Sequence, residues 1–377
     1  MSLWLFIALC YSAKGHLRFL LVRLHMDSLG ESRTKRRMRE QLGNLPEKLA
    51  ATYDQAMQRI ESQIPDFVYL ANHTLSWITN ACRPLKLVEL CHALATEYGD
   101  SRFDDEGLPD AGEITSYCAG LVVFEPLDGT IRFVHYTTQE YFSDKRSTMR
   151  YPDARLDISR KSLTYLIFDD LFQARSREEL LHDYPLIGYA ACHWGHHAQG
   201  DPENDQQVQS MALRFLKKEM RPSDEFMVNP QNEDSLPDQP SHLQGGSYGL
   251  HIAASFGLTV IVSLLLKTGI DVDQTHDDGQ TALHWACKNG HLETVRYLID
   301  QKADVNARMI RNPSTPLVIA AANGHLPIVE LLVNNHAEIN DDCPLFQLSV
   351  PGLPALQEAS LHGHIEIAKY LLEMERL

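Results

Sequence analysis

The sequence lacks several features on which common protein chemistries depend. Its 377 residues contain no Gly-x-x-x-x-Gly-Lys-[Ser/Thr] loop, so the usual cradle for nucleotide phosphates is absent. Seven scattered cysteines form no Cys-x-x-Cys pair, which suits a reducing compartment. Basic residues are also scarce, since 34 Lys and Arg stand against 50 Asp and Glu, a net charge of −16. That charge argues against a general nucleic-acid or anionic-membrane surface.

Long hydrophobic runs are missing too. The apolar stretch Leu3–Cys10 is too short to span a bilayer, and no positive charge precedes it. We therefore expect a cytoplasmic protein rather than a secreted one. The one dense basic run, at residues 33–39, offers nuclear import as an alternative, although a solvated helix face is its simpler interpretation.

An eleven-residue phrase recurs through the last third of the chain, and Thr315-Pro-Leu-Val-Ile-Ala-Ala-Ala-Asn-Gly-His325 is a clear copy of it. The leucines of successive copies stand 33, 34 and 39 residues apart. Related copies occur at 248–258, 281–291 and 354–364. Apolar residues at helical spacing follow each copy, for example Val295, Leu298 and Ile299. A fixed period of this length indicates a stack of helical repeats.

The phrase resembles the ankyrin repeat, in which a Thr-Pro-Leu-His turn opens a short helix and a Gly-His bend leads to a second helix. The resemblance implies four repeats over residues 247–377, the last of them irregular because residues 340–352 lengthen its spacing. Such units are stable only through their interfaces with neighbours. The array ends on a second helix without a polar closing unit, so we expect it to belong to a longer array.

The same resemblance predicts where a protein partner binds. In ankyrin arrays the partner lies on the concave face, against hairpin tips and first-helix residues. The corresponding residues here are Thr275, Asp277, Asp278, Gln280, Lys288, Asn289, Arg308 and Arg311. The histidines of the phrase could instead suggest a metal site, but their positions match scaffold histidines that hydrogen-bond neighbouring turns. We therefore predict no metal, no cofactor and no catalytic residue.

Residues 45–146 have the pattern of a winged helix. Apolar residues at helical spacing predict helices near 45–60, 67–82 and 88–94, with a fourth near 111–119. Two β-rich runs, 121–124 and 131–134, flank Asp128-Gly129, a dipeptide typical of hairpin turns. Helices followed by a hairpin in this order predict a winged helix.

Specific motifs extend the resemblance to most of the chain. Ser76-Trp77-Ile78, Cys118-Ala119-Gly120-Leu121 and His135-Tyr-Thr-Thr-Gln-Glu-Tyr-Phe142 resemble the winged-helix region, named after GPI inositol-deacylase, of fungal NACHT-ankyrin proteins. Residues 1–44 resemble the tail of the NACHT ATPase module in those proteins. Because the phosphate loop is absent, the resemblance does not carry ATP switching to this chain. The chain is then an abbreviated relative, or Met1 lies inside a larger protein.

Two further segments complete the predicted organisation. Helical periodicity over 147–220 predicts a helical connector, and the stretch 221–246, rich in Pro, Asp, Glu, Asn, Gln and Gly, predicts an acidic linker. The fold class that follows is mainly α: a winged-helix module with a small β-hairpin, the connector, and an ankyrin-repeat solenoid. The predicted function is non-enzymatic recognition of a protein partner, within a fungal NLR-like signalling or recognition system.

Two alternatives have some support in the sequence. Gly245-Gly-Ser-Tyr-Gly249 fits the nucleophile elbow of a serine hydrolase, but that elbow requires an α/β sheet, and a polar linker and helical repeats surround it here. Winged helices often bind DNA, yet residues 103–131 contain no Lys or Arg and seven acids. We therefore expect neither nucleic acid nor membrane nor small molecule as the partner.

Overall fold

The computed structural model describes residues 49–143, 151–171, 177–217, 248–275, 278–310, 314–339 and 354–375. They form two compact units. Unit 1 contains the described residues up to Lys161 and residues 182–186, and unit 2 contains residues 162–181 and those from 187 onward. None of the helices in these ranges combines the length and apolar composition that a bilayer crossing requires. The predicted NACHT-like segment and the acidic linker lie outside the described residues.

Unit 1 is built from short helices around a small sheet. Its helices before residue 144 are α1 (Leu49–Glu61), α2 (Pro65–Asn80), α3 (Leu87–Ala95), α4 (Ile114–Tyr117) and α5 (Tyr136–Ser143). Helix α2 begins with Pro65, whose missing N–H costs nothing at the first helical position. On α1 the predicted face, with Tyr53, Met57 and Ile60, is buried.

The three strands of unit 1 are β1 (Leu85–Lys86), β2 (Val122–Glu125) and β3 (Thr130–Phe133), in the antiparallel order β1-β3-β2. Ile131 lies at the centre, paired with Leu85 on one side and Phe124 on the other. Gly129 supplies the positive φ of the turn between β2 and β3, and Asp128 accepts a hydrogen bond from the Thr130 amide. The predicted hairpin is thus confirmed, and β1 completes a winged-helix sheet that the sequence pattern did not reveal.

Two helix predictions in this unit need correction. The stretch predicted as helical near 111–119 is helical only over Ile114–Tyr117. Val88, expected in the buried stripe of α3, is 51% exposed. The buried position on that helix belongs to Glu89, which receives two 2.9 Å hydrogen bonds from Arg83 and one of 2.7 Å from the Lys86 amide. A fully paired carboxylate can replace an apolar side chain in the interior.

Unit 2 contains the connector helices and the repeats. The connector elements are α6 (Ala154–Leu166) and α7 (Arg177–Asp183), both shared with unit 1, α8 (Ile187–Ala198), a 3-10 turn (Asp201–Asn204) and α9 (Gln206–Leu216). The repeats supply the pairs α10 (Gly249–Ser255) and α11 (Thr259–Leu266), α12 (Ala282–Lys288) and α13 (Leu292–Asp300), α14 (Pro316–Ala322) and α15 (Leu326–Asn334), and α16 (Pro354–Leu361) and α17 (Ile365–Met374). The first helices pack successively on one another, as the repeat pattern predicts.

The connector packs directly on the first repeat. Glu203, buried in the 3-10 turn, accepts hydrogen bonds from the amides of Val260 (2.6 Å) and Ile261 (3.0 Å) in the first turn of α11. Gln199 donates to the carbonyl of Phe256. The two bonds to Glu203 satisfy amides at a helix start that would otherwise lack acceptors.

Aromatic packing completes the same junction. The ring of Phe256 lies edge-on to Trp194 (5.6 Å between centroids) and to His196 (5.0 Å). Gly195 permits this approach, because a side chain there would overlap the Phe256 ring. The connector and the repeats, which the sequence separated by a linker, therefore share one compact unit.

We expect Glu203→Ala to weaken the start of the array, because it leaves two buried amides without an acceptor. The cost should be about 1 kcal/mol, roughly a fivefold increase in the open population. Hydrogen exchange should detect it as faster exchange at Val260 and Ile261. Glu366→Ala, at an exposed carboxylate of α17, is the matched control, and unchanged exchange in Glu203→Ala would contradict the assignment.

Candidate functional site

The repeats are held in register by their histidines. At the Gly-His bend, the Nε2–H of His291 donates to the carbonyl of Ser255 (2.8 Å), that of His325 to Lys288 (3.2 Å), and that of His364 to Ala322 (3.0 Å). Each acceptor lies in the preceding repeat, two residues before its bend glycine. The bond therefore connects equivalent points of successive repeats.

The bend glycines make this contact possible. Gly257, Gly290 and Gly324 all have φ between 69° and 80°, a left-handed conformation that favours glycine. A Cβ on any of them would lie 2.5 to 2.7 Å from the histidine ring of the next repeat. Glycine is thus required twice, for the backbone conformation and for the space that the imidazole fills.

Two further histidines connect the repeats in the opposite direction. The Nε2–H of His251 donates to the Gln280 carbonyl (3.0 Å), and that of His284 to the Ser314 carbonyl (3.3 Å). The Nδ1 of His284 also accepts from the Thr281 amide (3.1 Å) and so caps α12. Donating with one ring nitrogen and accepting with the other requires the neutral imidazole. Burial accordingly lowers the pKa of His284 from 6.5 to about 4.

These bonds account for five of the repeat histidines as scaffold groups. Among the described residues, no three His, Cys, Asp or Glu side chains are grouped in a way that could hold a metal ion. The partner-binding candidates must therefore lie on the faces that the scaffold leaves accessible.

Those faces follow from helix geometry. In α12, residues Ala282, Leu283, Ala286 and Cys287 are buried, so the accessible positions are Trp285, which is half-buried, and Lys288, which is exposed. The same phrase positions are accessible in the next two repeats. We call this set the first-helix surface: Trp285, Lys288, Asn289, Ile319, Ala322, Asn323, Glu358, Leu361 and His362.

The first repeat contributes nothing to this surface. Its equivalent residues, Ile252, Ser255 and Phe256, are all buried. Phe256 is covered by the connector contacts described above, and Leu258 replaces the histidine of the bend. The accessible surface therefore begins at the second repeat.

Four of the predicted contact residues lie on or beside the hairpins between repeats. Thr275 and Arg308 are exposed, while Asp278 and Gln280 are half-buried. The Ile310 amide donates to the Asp278 carbonyl (2.7 Å) and so joins two successive hairpins. Arg308 approaches Glu338 at 3.6 Å, with both side chains largely exposed.

The remaining predicted residues divide differently. Lys288 and Asn289 lie on the first-helix surface, although the Asn289 amide group donates to the Trp285 carbonyl (2.9 Å) at the end of α12. Asp277 and Arg311 lie outside the described residues. The described candidates thus occupy the hairpins and one first helix, and their role in binding stays a prediction.

Sequence reasoning missed the large apolar members of the accessible face. Trp285 packs edge-on against His251 (5.9 Å) and remains only half-buried, and Ile310 in the hairpin is 69% exposed. Leu361 in the last repeat is 78% exposed. Tryptophan is enriched among residues that dominate binding energy. The signal was present in the sequence, since Trp285 follows directly after the scaffold histidine His284.

Comparison with known proteins identifies the two regions. A family model for ankyrin repeats, three copies, matches residues 225–309 and 308–376, and a model described as the GPI inositol-deacylase winged helix domain matches residues 58–150. The chain therefore contains ankyrin repeats and a winged helix domain of that type. The first repeat lies inside the first ankyrin match.

Individual relatives cover the chain unevenly. The azaphilone pigments biosynthesis cluster protein L of Monascus ruber is 23% identical over 305 residues, covering 70% of this chain and 61% of that protein. Cortactin-binding protein 2 of Plecturocebus moloch is 41% identical over 69 residues, or 18% of this chain and 4% of that protein. Protein phosphatase 1 regulatory subunit 12A of Mus musculus is 39% identical over 64 residues, 17% of this chain and 6% of that protein. The chain thus spans less than two thirds of each.

The neutral histidines predict that unit 2 loses stability in mild acid. Because the pKa of His284 is about 4 in the fold and 6.5 otherwise, the unfolded chain binds the proton more tightly. Stability is retained above pH 6.5 and falls as the pH is lowered toward 4, by on the order of 2 kcal/mol at pH 5 from this group alone. Burial also lowers the pKa of His291, which adds in the same direction.

Hydrogen exchange of peptides within 278–310 at pH 7 and pH 5, corrected for the intrinsic exchange rate, measures this loss. Burial raises the pKa of Glu203, and its protonation in acid works in the opposite direction. The Glu203→Gln background therefore removes this opposing contribution. Equal protection at both pH values in that background would show that the imidazoles are not buried in neutral form.

Proposed function

We propose that the chain is a non-enzymatic interaction protein that recognises a protein partner on the first-helix surface and hairpins of its second to fourth repeats. The observation that carries the proposal is the exposure of large apolar side chains on a face that the scaffold does not use. Ile310 and Leu361 are both more than two-thirds exposed, and Trp285, in the second repeat, is half-buried. Exposed apolar groups collected on one face are typical of protein interfaces.

The comparisons support this proposal. Two of the similar proteins are named as a cortactin-binding protein and a phosphatase regulatory subunit, and the similarity in each case extends over 64 to 69 residues. The pigment-cluster relative is a fungal protein. More specifically, the proposed role is recognition of a partner within a fungal NLR-like system in the cytoplasm. The winged helix then acts as a rigid module that connects recognition to another part of the system.

The winged helix itself offers a poor surface for DNA. The helix at the position that would enter a groove, α4, has only four residues, and no Lys or Arg occurs between 103 and 131. Strong phosphate contact requires several cations. The hydrolase alternative also lacks its framework: the strands of the described residues lie between 85 and 133, and helical repeats follow Tyr248. Ser247 itself lies outside the described residues.

A comparison of baits tests the proposed function. The full chain and a variant with Trp285→Ala, Arg308→Glu and Ile310→Asp would be used to recover proteins from cells that express the chain naturally. Loss of a buried tryptophan anchor costs about 2 kcal/mol or more, roughly a thirtyfold loss of affinity. Proteins recovered with the wild-type chain should therefore be missing with the variant.

The matched control carries Glu293→Ala and Arg296→Ala, exposed positions on the second helix α13. It should recover the same proteins as the wild-type chain. Equal recovery by all three baits would refute binding at this face. Ester cleavage by the full chain would refute the non-enzymatic assignment.

A further inference from the structure

The eighth position of the phrase alternates in size across the three accessible repeats. It is Lys288 in the second repeat, Ala322 in the third and Leu361 in the fourth. The first helices that carry these residues pack side by side, and packed helices are about 8–10 Å apart. A methyl group therefore stands between two long side chains, which leaves a recess at Ala322.

The wall of the recess is apolar. Ile319 lies three residues before Ala322 on the same accessible face of α14, and Trp285 occupies the matching position of α12. The floor is part of the scaffold, since the Ala322 carbonyl accepts the hydrogen bond from His364. The recess is therefore held by the repeat interface itself and does not depend on a loop.

The charged side chains around the recess differ in whether they have a counter-charge nearby. Arg308 has Glu338 as a counter-charge at 3.6 Å, and Glu358 has His362 at the same distance, the latter an ion pair only when the imidazole is protonated. Lys288 is exposed and makes no ion pair with any residue that the structure describes. A partner carboxylate is the group that would complete this edge.

The recess also has a closed side. Beyond Lys288 the next repeat is the first, where the equivalent positions are buried and the connector covers Phe256. A bound segment therefore cannot continue the same contacts in that direction. Lys288 marks the end of the accessible face, and Leu361 lies on the opposite side of Ala322.

We propose that the first-helix surface binds an acidic, aliphatic segment of a partner protein, with an aliphatic side chain seated on Ala322 between Lys288 and Leu361 and a carboxylate paired with Lys288. The proposal rests on the proposed function, because it names the chemistry of the segment that the repeats recognise. Ala322 is then the residue that sets specificity by size, and Lys288 the residue that sets it by charge.

Geometry fixes the spacing of the two partner groups. Neighbouring first helices are about 8–10 Å apart, so the carboxylate and the aliphatic side chain must be separated by that distance. In an extended segment, at about 3.3 Å per residue, this corresponds to a spacing of about three residues. In a helical segment, at 1.5 Å per residue, it corresponds to about six.

The test uses a displayed library of random twelve-residue peptides, selected on the full chain. Enriched peptides should share an acidic and an aliphatic residue at one of these two spacings. They would then be synthesised and their affinities measured for the wild-type chain and for variants. Ala322→Trp fills the recess and should lower affinity at least tenfold, and Lys288→Glu should do the same through charge repulsion.

Matched variants separate these effects from damage to the fold. Lys267→Glu makes the same charge change at an exposed lysine after α11 and should leave affinity within twofold. Hydrogen exchange of 278–310 in every variant verifies that the repeats remain folded. A selection repeated on Lys288→Glu should enrich Lys or Arg where the wild-type chain enriches Asp or Glu.

The outcomes distinguish this proposal from the proposed function. Peptides without an acidic residue, full affinity in folded Ala322→Trp, or a selection that enriches nothing would overturn the recess proposal. If the variant with the hairpin and Trp285 substitutions still fails to recover natural partners, the proposed function stands even though the recess proposal is wrong. If neither peptides nor natural partners depend on this face, both proposals fail.

Discussion

Unit 2 depends on the hydrogen bond that each bend histidine donates to a backbone carbonyl of the preceding repeat. That carbonyl lies two residues before the bend glycine of its own repeat. The bond occurs three times with the same geometry, at 2.8 to 3.2 Å, and each glycine leaves the space that the ring occupies. A single repeat cannot bury its apolar face, so this bond and the packing around it set the register of the array. Because every bond uses a fixed ring nitrogen and a fixed carbonyl, successive first helices present equivalent positions side by side, and an accessible surface follows from the register.

The connector extends this constraint to the start of the array. In place of a bend histidine, the first repeat has Leu258, and in place of the polar ninth residue it has Phe256. Both substitutions make the first repeat apolar where α8 and the 3-10 turn cover it, and Glu203 supplies the acceptors that the first turn of α11 needs. A solenoid whose end is capped in this way needs no separate polar repeat before it. The same cap removes the first repeat from the accessible face, so that face begins at the second repeat.

Much of this fold could be predicted from the sequence, because the spacing of apolar residues predicts the helices and the repeated phrase predicts how they are connected. The hairpin around Asp128-Gly129 was predicted from a local pattern, and the scaffold role of the histidines from the resemblance to ankyrin repeats; both are confirmed. Long-range pairing was not predictable in the same way. Strand β1 has only two residues and exists because β3 pairs with it, while Glu89 is buried because Arg83 and the Lys86 amide neutralise its cost. The junction at Phe256 was also missed, although its departure from the phrase was visible in the sequence.

The candidate site shows the same division between local and long-range information. Alignment with the repeat pattern was enough to predict Lys288 and the hairpin residues as contact candidates, because their place in the repeat follows from the sequence register alone. It did not assign Trp285, Ile319 or Leu361, because whether an apolar residue is core or surface depends on which face of the helix its neighbours bury. In α12 and α14 two or three buried residues separate single accessible positions, and this arrangement places Ala322 on the accessible face between Lys288 and Leu361. In the proposed binding mode, the size of one methyl group at that position, rather than the charge of the whole chain, is the feature that most restricts which partner segment can fit.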